Sequence, residues 1–158
     1  MTFQILLNLI VALVWMMFHN SWSFLSFFTG YLVGLLFVFL MRRFFNRPFY
    51  GTKVVAVGKL LWLFIVELFK STFVVIGQVT RPRLNIRPGI FRVRTKLKSD
   101  WEITALSYLI TLTPGSVVME VDPAQGIMYI HGMDADEFKS SILASKRRFE
   151  QAIKEVAR

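Results

Sequence analysis

The first 41 residues of the chain, MTFQILLNLIVALVWMMFHNSWSFLSFFTGYLVGLLFVFLM (1–41), contain no Asp, Glu, Lys or Arg. As one helix this stretch would be about 62 Å long at ~1.5 Å per residue, twice the ~30 Å hydrocarbon core of a bilayer. The break falls at a polar cluster, where Asn20 or Ser21 is suited to cap a new helix. We therefore predict a transmembrane α-hairpin with helices over about 3–18 and 22–41.

Two features of this hairpin bear on packing and transport. Gly30 and Gly34 form a G-x-x-x-G step, which lets two helix backbones approach closely, so we predict them as helix-packing positions. Asn8 is either a hydrogen-bonding partner of a neighbouring helix or a tolerated polar residue near a helix end. Ion paths through membranes normally use buried ionisable side chains, and the hairpin has none. We expect the hairpin not to carry an ion.

The charge of the chain is strongly segregated. The net charge is +9, but residues 42–98 hold 13 Lys/Arg against one acid, whereas 99–158 hold six Lys/Arg against nine acids. The composition is 54% hydrophobic with no cysteine, which excludes a soluble single-domain enzyme, a disulfide scaffold and a cysteine-based metal site. We predict three parts: the hairpin (1–41), a basic loop with a third apolar helix (42–80), and a C-terminal domain (81–158).

Basic residues cluster on both sides of the third apolar stretch, about 54–79. By the positive-inside rule the end of the second span is cytoplasmic. A third span would then place one basic cluster outside, against the rule. The predicted membrane-interface anchors are Arg42, Arg43, Arg47, Lys53, Arg81 and Arg83.

The third helix is amphipathic. At about 100° per residue, Lys59, Glu67, Lys70 and Gln78 occupy one sector, and Glu67 and Lys70 form an i,i+3 pair. We favour a helix lying in the interface with its cations near lipid phosphates. The competing interpretation is a third span whose charged stripe packs against partner helices, with the Glu67–Lys70 pair inside the membrane.

The C-terminal part predicts a small cytoplasmic α+β domain of order β-α-β-β-α. Period-two alternation marks its first strand, and Ser99 with Glu102 forms a capping box before its first helix. Turn residues then separate two strands of a hairpin. The predicted strands are 91–97, 116–121 and 127–131, and the predicted helices are 100–112 and 135–157.

No catalytic or cofactor motif is present in the sequence. His131 fits a structural histidine better than a base or ligand, and the acids near it are better explained as helix caps than as a metal site. The basic residues are explained by anionic lipid, so we predict no nucleic-acid partner. We expect no enzyme activity, no cofactor, no metal and no small-molecule substrate bound by this chain alone.

Short motifs in a fixed order carry a family likeness over nearly the whole chain. With them, the sequence resembles the E subunit of the bacterial Mrp/Mnh-type multisubunit cation/proton antiporter. They are Gln4-Ile5-Leu6-Leu7-Asn8-Leu9, Leu84-Asn85-Ile86-Arg87-Pro88-Gly89-Ile90, Lys98-Ser99-Asp100-Trp101-Glu102, Leu109-Ile110-Thr111-Leu112-Thr113-Pro114-Gly115 and Tyr129-Ile130-His131.

The resemblance implies a multi-pass subunit of a large complex in the bacterial inner membrane that exchanges protons for Na⁺. In that family the ion chemistry is assigned mainly to the large subunits, which implies an accessory, non-catalytic role here, with the other subunits and membrane lipids as partners. Two alternatives stay open: a transport-active subunit using Glu67 and Lys70 in an ion path, and a stand-alone membrane-anchored, lipid-binding regulatory module.

Overall fold

The structure, a computed structural model, describes residues 2–45, 49–82 and 86–157, without the side chains of 135–139. The chain divides into two compact units, residues 1–55 and 56–158. The three parts predicted from the charge pattern, residues 1–41, 42–80 and 81–158, describe where the chain lies relative to a membrane. They stay a prediction.

The first unit is built on two antiparallel helices, α1 (Thr2–Phe18) and α2 (Phe24–Leu40), followed by a 3₁₀ turn over Met41–Phe44. Every fourth residue of α1 is buried, which is the spacing of one helix face. On α2 the two predicted packing glycines and Val38 are the buried residues. The buried residues of α1 are Gln4, Asn8, Ala12 and Met16.

The cap predicted for the second helix, Asn20 or Ser21, was wrong by three or two residues. Ser23, not Asn20 or Ser21, is the N-cap, and its hydroxyl accepts the backbone N–H of Ser26 at 3.2 Å. Asn20 instead takes a left-handed conformation with φ of 45°, which Asn tolerates better than most residues. It therefore turns the chain, and the helix begins at Phe24.

The third helix, α3 (Tyr50–Val79), has 30 residues and begins four residues earlier than predicted. Within the described residues, α3 and the segment 24–44 are the two helices long and apolar enough to cross a membrane, with mean hydropathies of 1.9 and 2.2. Helix α1 is apolar but has only 17 residues. Length and composition therefore leave both interpretations of α3 open.

The second unit contains the predicted order of strand, helix, strand, strand and helix. The three strands form one antiparallel sheet, in which the last strand of the chain lies between the other two. Both predicted helices have the predicted bounds. The elements are β1 (Gly89–Arg94), α4 (Asp100–Leu112), β2 (Ser116–Asp122), β3 (Ile127–Gly132) and α5 (Ala135–Ala157).

The core of this unit lies between the sheet and the helices α4 and α5. Its most deeply buried side chains, all 0% exposed, are Leu106, Met128, Ile130, Phe149 and Ile153. Helix α3 adds partly buried side chains to the same core, namely Leu60, Leu63, Phe64 and Val75. One side of α3 is therefore part of the hydrophobic core of the domain.

Strand β1 ends at Arg94, three residues before the predicted end. The alternation itself is present, because Phe91 and Val93 face inward while Arg92 and Arg94 are exposed. Beyond the strand, the Thr95 N–H still donates to the Gly126 carbonyl, while the Thr95 hydroxyl and the Lys96 N–H donate to the carboxylate of Glu150 on α5. A tertiary contact overrides the strand pattern there.

Candidate functional site

A polar cluster lies inside the first unit, among otherwise apolar helices. We call Gln4, Asn8, Tyr31 and Tyr50 the hairpin cluster. The Asn8 Nδ2 donates to the Tyr50 hydroxyl at 2.7 Å, and the Tyr31 and Tyr50 hydroxyl oxygens are 3.3 Å apart. Gln4 Oε1 accepts the backbone N–H of Tyr50 at 2.9 Å. Because the first N–H groups of a helix have no partner within that helix, α1 supplies an acceptor at the start of α3.

The hairpin cluster depends on the absence of a side chain at Gly34. Asn8 is 0% exposed, and a Cβ at Gly34 would lie only 2.0 Å from its Oδ1 and 3.1 Å from its backbone oxygen. At Gly30 a Cβ would lie 2.8 Å from the Cβ of Trp15. The two helix backbones of the hairpin therefore meet at the G-x-x-x-G step.

A second cluster, in the second unit, surrounds the single acid of residues 1–98. We call Glu67, Lys70, Ser145 and Arg148 the Glu67 cluster. Glu67 is 5% exposed, and its Oε1 lies 2.8 Å from the Arg148 Nη1 and 3.8 Å from the Lys70 Nζ. The Ser145 hydroxyl donates a short hydrogen bond to Oε2. A buried carboxylate needs this compensation, because desolvation of an unpaired charge is costly.

The second-unit part of α3 has two opposite faces. At about 100° per residue, Leu60, Glu67 and Gln78 lie together on the face that packs on the domain. Of the four residues in the predicted polar sector, the two cations, Lys59 and Lys70, are exposed, whereas Glu67 and Gln78 are buried. The opposite face is apolar and exposed, and its members are Leu61, Trp62, Ile65, Phe69, Phe73 and Ile76.

A third polar group joins the end of β1 to α5. Glu150 Oε1 accepts from the Thr95 hydroxyl at 2.6 Å and from the Lys96 N–H at 3.0 Å, and lies 2.9 Å from the Lys146 Nζ. Burial raises the pKa of the Glu150 carboxyl, but these hydrogen bonds and the lysine charge together hold the pKa below its ordinary value. The carboxylate is therefore kept ionised at neutral pH.

The predicted anchors are exposed where they are described, with one exception. Arg42 and Arg43 lie in the 3₁₀ turn, and the Arg42 Cζ is 4.6 Å from the centroid of the Phe39 ring. Lys53 is half-buried on α3, and Arg81 is exposed just after that helix. Arg47 and Arg83 lie outside the described residues. The role at the membrane stays a prediction for all six.

Sequence reasoning singled out Glu67 and Lys70 but missed Ser145 and Arg148, which lie on a helix far along the chain. It also missed Tyr31, Tyr50 and the group around Glu150. The four-residue spacing of Gln4 and Asn8 was a usable signal for one polar face. Among the described residues, no group of three His, Asp or Glu is arranged to hold a metal ion.

Fold and clusters together define a class: a chain in which an uncharged helical hairpin is followed by a long amphipathic helix and a small α+β domain, with two described helices long and apolar enough to cross a membrane. The model of a family described as "Na+/H+ ion antiporter subunit" matches residues 8–156. Proteins named as the E subunit of a Na(+)/H(+) antiporter are 49% identical in Bacillus subtilis and 42% identical in Alkalihalophilus pseudofirmus, over the full length of both chains.

The chain therefore belongs to the family of Na⁺/H⁺ antiporter E subunits, as the sequence motifs indicated. Among solved structures, a chain of the Mrp complex from Dietzia sp. DQ12-45-1b is 30% identical, with a TM-score of 0.46. That match covers 61% of this chain and 94% of the other.

Proposed function

We propose that this chain is an accessory, non-catalytic subunit of a multisubunit cation/proton antiporter in the bacterial cell membrane. In this role it supports assembly and activity of a complex that exports Na⁺ and helps to control cytoplasmic pH. The relatives named above as antiporter subunits match along the entire chain. They are named as parts of a transporter, which supports a role other than an enzyme.

The observation that carries the accessory role is the state of Glu67. It is the single acid among residues 1–98. A side chain that relays protons or Na⁺ must be accessible to them and must bind and release them in turn. Glu67 is buried, ion-paired with Arg148 and hydrogen-bonded by Ser145. These contacts attach α3 to α5. We infer that the carboxylate is structural and that the ion path lies in other subunits.

Replacement of Glu67 by Gln tests this role. We expect antiport per assembled complex to stay within about twofold of the wild type, because a residue that transfers protons contributes about 10²–10⁴-fold to a rate. The amide keeps one oxygen to face Arg148 and replaces the oxygen that accepts from Ser145 by an NH2 group, to which the Ser145 hydroxyl can act as acceptor. Antiport is measured in vesicles that contain the whole complex, and assembly is measured by co-purification and mass spectrometry of the subunits.

Glu155→Gln is the matched control, since this acid lies on α5 in an exposed pair with Lys59, 3.9 Å apart. Loss of antiport in Glu67→Gln with normal assembly would establish the transport-active alternative. Purification of the wild-type chain without any large membrane subunit would contradict membership of a complex and favour a stand-alone module.

We also propose that the hairpin spans the membrane while α3 lies at its cytoplasmic surface, with the domain inside the cell. The two faces of α3 support this placement. One face is covered by the domain core, and the other is a continuous apolar strip that is exposed in the chain. A helix with such faces suits the plane of the interface, where lipid covers the apolar strip. Both basic clusters are then cytoplasmic, as the positive-inside rule requires.

Cysteine labelling tests this topology on a chain with no native cysteine. Ser21→Cys, in the turn between α1 and α2, is expected to react with a membrane-impermeant maleimide added to intact cells. Gln125→Cys, in the exposed β2–β3 turn, is expected to react only after the cells are opened. Reaction of Gln125→Cys from outside would mean that α3 crosses the membrane.

A further inference from the structure

A cavity of about 240 Å³ opens beside the Glu67 cluster in the second unit. Its wall is formed by α3, α5 and the turn between α4 and β2. It is smaller than the ~300–1,000 Å³ of pockets for drug-sized ligands, but far larger than the ~30 Å³ share of one water. It is therefore suited to a small polar group or to one end of a longer molecule.

The charged residues on this wall determine whether the cavity favours a cation or an anion. Among its described residues, the ionisable groups are one acid, Glu67, and two bases, Lys70 and Arg148. Glu67 is already compensated by Arg148 at 2.8 Å, so a net positive charge remains. Arg carries five N–H donors, and one guanidinium can contact a carboxylate and a second anion together. Ser71, Thr113 and Ser116 also line the wall, but each hydroxyl donates its proton to a backbone carbonyl, so Lys70 and Arg148 are the main donors for an anion.

The surroundings of the cavity indicate where the anion comes from. Lys70 side-chain atoms are 59% exposed, and Phe73, three residues further on, belongs to the exposed apolar strip and is 69% exposed. Val74 lies on the cavity wall and is 45% exposed. A lipid whose acyl chains lie along the apolar strip would therefore carry its phosphate past Lys70 to the cavity. We propose that this cavity binds the phosphate of an anionic phospholipid headgroup.

The site rests on the surface placement of α3 proposed above, since that placement brings the apolar strip to the lipid. Lys70 and Arg148 are the phosphate-binding residues. Glu67 positions Arg148, because the ion pair directs the guanidinium along the cavity wall. The bound lipid would fasten the domain to the membrane at one defined point, in addition to the diffuse attraction of the basic clusters.

The test counts lipids retained by the full-length chain. The chain is purified from vesicles of phosphatidylcholine with phosphatidylglycerol, and its bound lipids are counted by native mass spectrometry. We expect one retained phosphatidylglycerol, with an affinity that falls about fivefold in Lys70→Gln, since a basic residue near anionic lipid contributes ~1 kcal/mol. In Arg148→Gln the affinity for the lipid is expected to decrease at least as much. Lys70→Arg is expected to retain the lipid.

Lys59→Gln is the matched control, because Lys59 lies on the same flank of α3, is similarly exposed and is not on the cavity wall. Equal retention by Lys70→Gln and Lys59→Gln would overturn the site, as would equal retention of phosphatidylcholine and phosphatidylglycerol. Displacement of the lipid by millimolar inorganic phosphate would support the phosphate site and identify free phosphate as a second occupant.

The outcome is separable from the topology experiment. External labelling of Gln125→Cys would overturn the placement of α3 whatever lipid is bound. Internal labelling together with equal lipid retention in all variants would overturn the cavity alone and leave the proposed function standing.

Discussion

Gly34→Ala is expected to destabilise the hairpin, because the two helices are in close contact at this glycine. The new Cβ would meet the Asn8 Oδ1 at 2.0 Å and the Asn8 backbone oxygen at 3.1 Å. Rotation of the Asn8 side chain relieves the first contact only by breaking its 2.7 Å hydrogen bond to Tyr50. The backbone contact remains in either case, so the helices must separate.

The size of the effect follows from three contributions. Overpacking a tight interface costs about 1–3 kcal/mol, and loss of a buried hydrogen bond adds about 1 kcal/mol. Ala has a higher helix propensity than Gly, which stabilises the folded chain by about 1 kcal/mol and offsets part of this loss. The expected net loss is about 1–3 kcal/mol, measured as a shift of the unfolding midpoint of the purified chain in detergent.

Gly58→Ala is the control, because a Cβ at this helical glycine of α3 meets no atom within 4 Å. It should be neutral or stabilising by up to about 1 kcal/mol. The double variant Asn8→Ala with Gly34→Ala should recover part of the loss, since the two positions are in contact and their effects are not additive. Equal stability of Gly34→Ala and the wild type would show that the helices do not meet at this step.

The elements whose ends are determined locally were predictable from the sequence. Helix α4 has the predicted bounds because Ser99 and Glu102 cap it, with the Glu102 carboxylate accepting the Ser99 N–H at 3.3 Å. Helix α5 likewise keeps its predicted range. By contrast, Asn20, Ser21 and Ser23 are chemically similar caps, and only the conformation of the turn decides between them. The end of β1 depends on Glu150, more than 50 residues away.

The sites show the same division between local and distant information. The Glu67–Lys70 pair is a matter of helical spacing and was predictable. Their partner Ser145 is 78 residues from Glu67, and Tyr50 is 42 residues from Asn8. The periodicity of a sequence and its helix propensity indicate which face of a helix is polar. They do not indicate which distant polar residues that face contacts. The sequence therefore indicated that α3 has a polar sector and left open whether lipid or protein covers it.

Lys146→Met is expected to destabilise the C-terminal domain strongly, because it leaves Glu150 without its buried cation. The side chains of Lys146 and Glu150 are 7% and 9% exposed and lie 2.9 Å apart. Removing one member of a buried pair leaves an uncompensated charge and typically costs about 3–5 kcal/mol. Because Glu150 keeps its hydrogen bonds from Thr95 and Lys96, we expect about 3 kcal/mol, measured by chemical unfolding of the full-length chain. Arg147→Met is the control, since Arg147 is the exposed neighbour on the same helix.

The pH dependence separates the ion pair from simple loss of packing. Glu150 has a lower pKa in the folded chain than its ordinary value of 4.5, so its stabilising contribution is complete above that value. The contribution is lost as the pH falls from 4.5 through the lowered pKa, because the unfolded chain then binds the proton more readily. The difference in stability between the wild type and Glu150→Gln should therefore shrink on acidification. When the effect of Glu150→Gln is measured in a chain that already carries Lys146→Met, this difference should shrink less, because one cause of the lowered pKa of Glu150 is gone. A difference that does not change with pH would mean that the carboxylate charge contributes nothing to the join between β1 and α5.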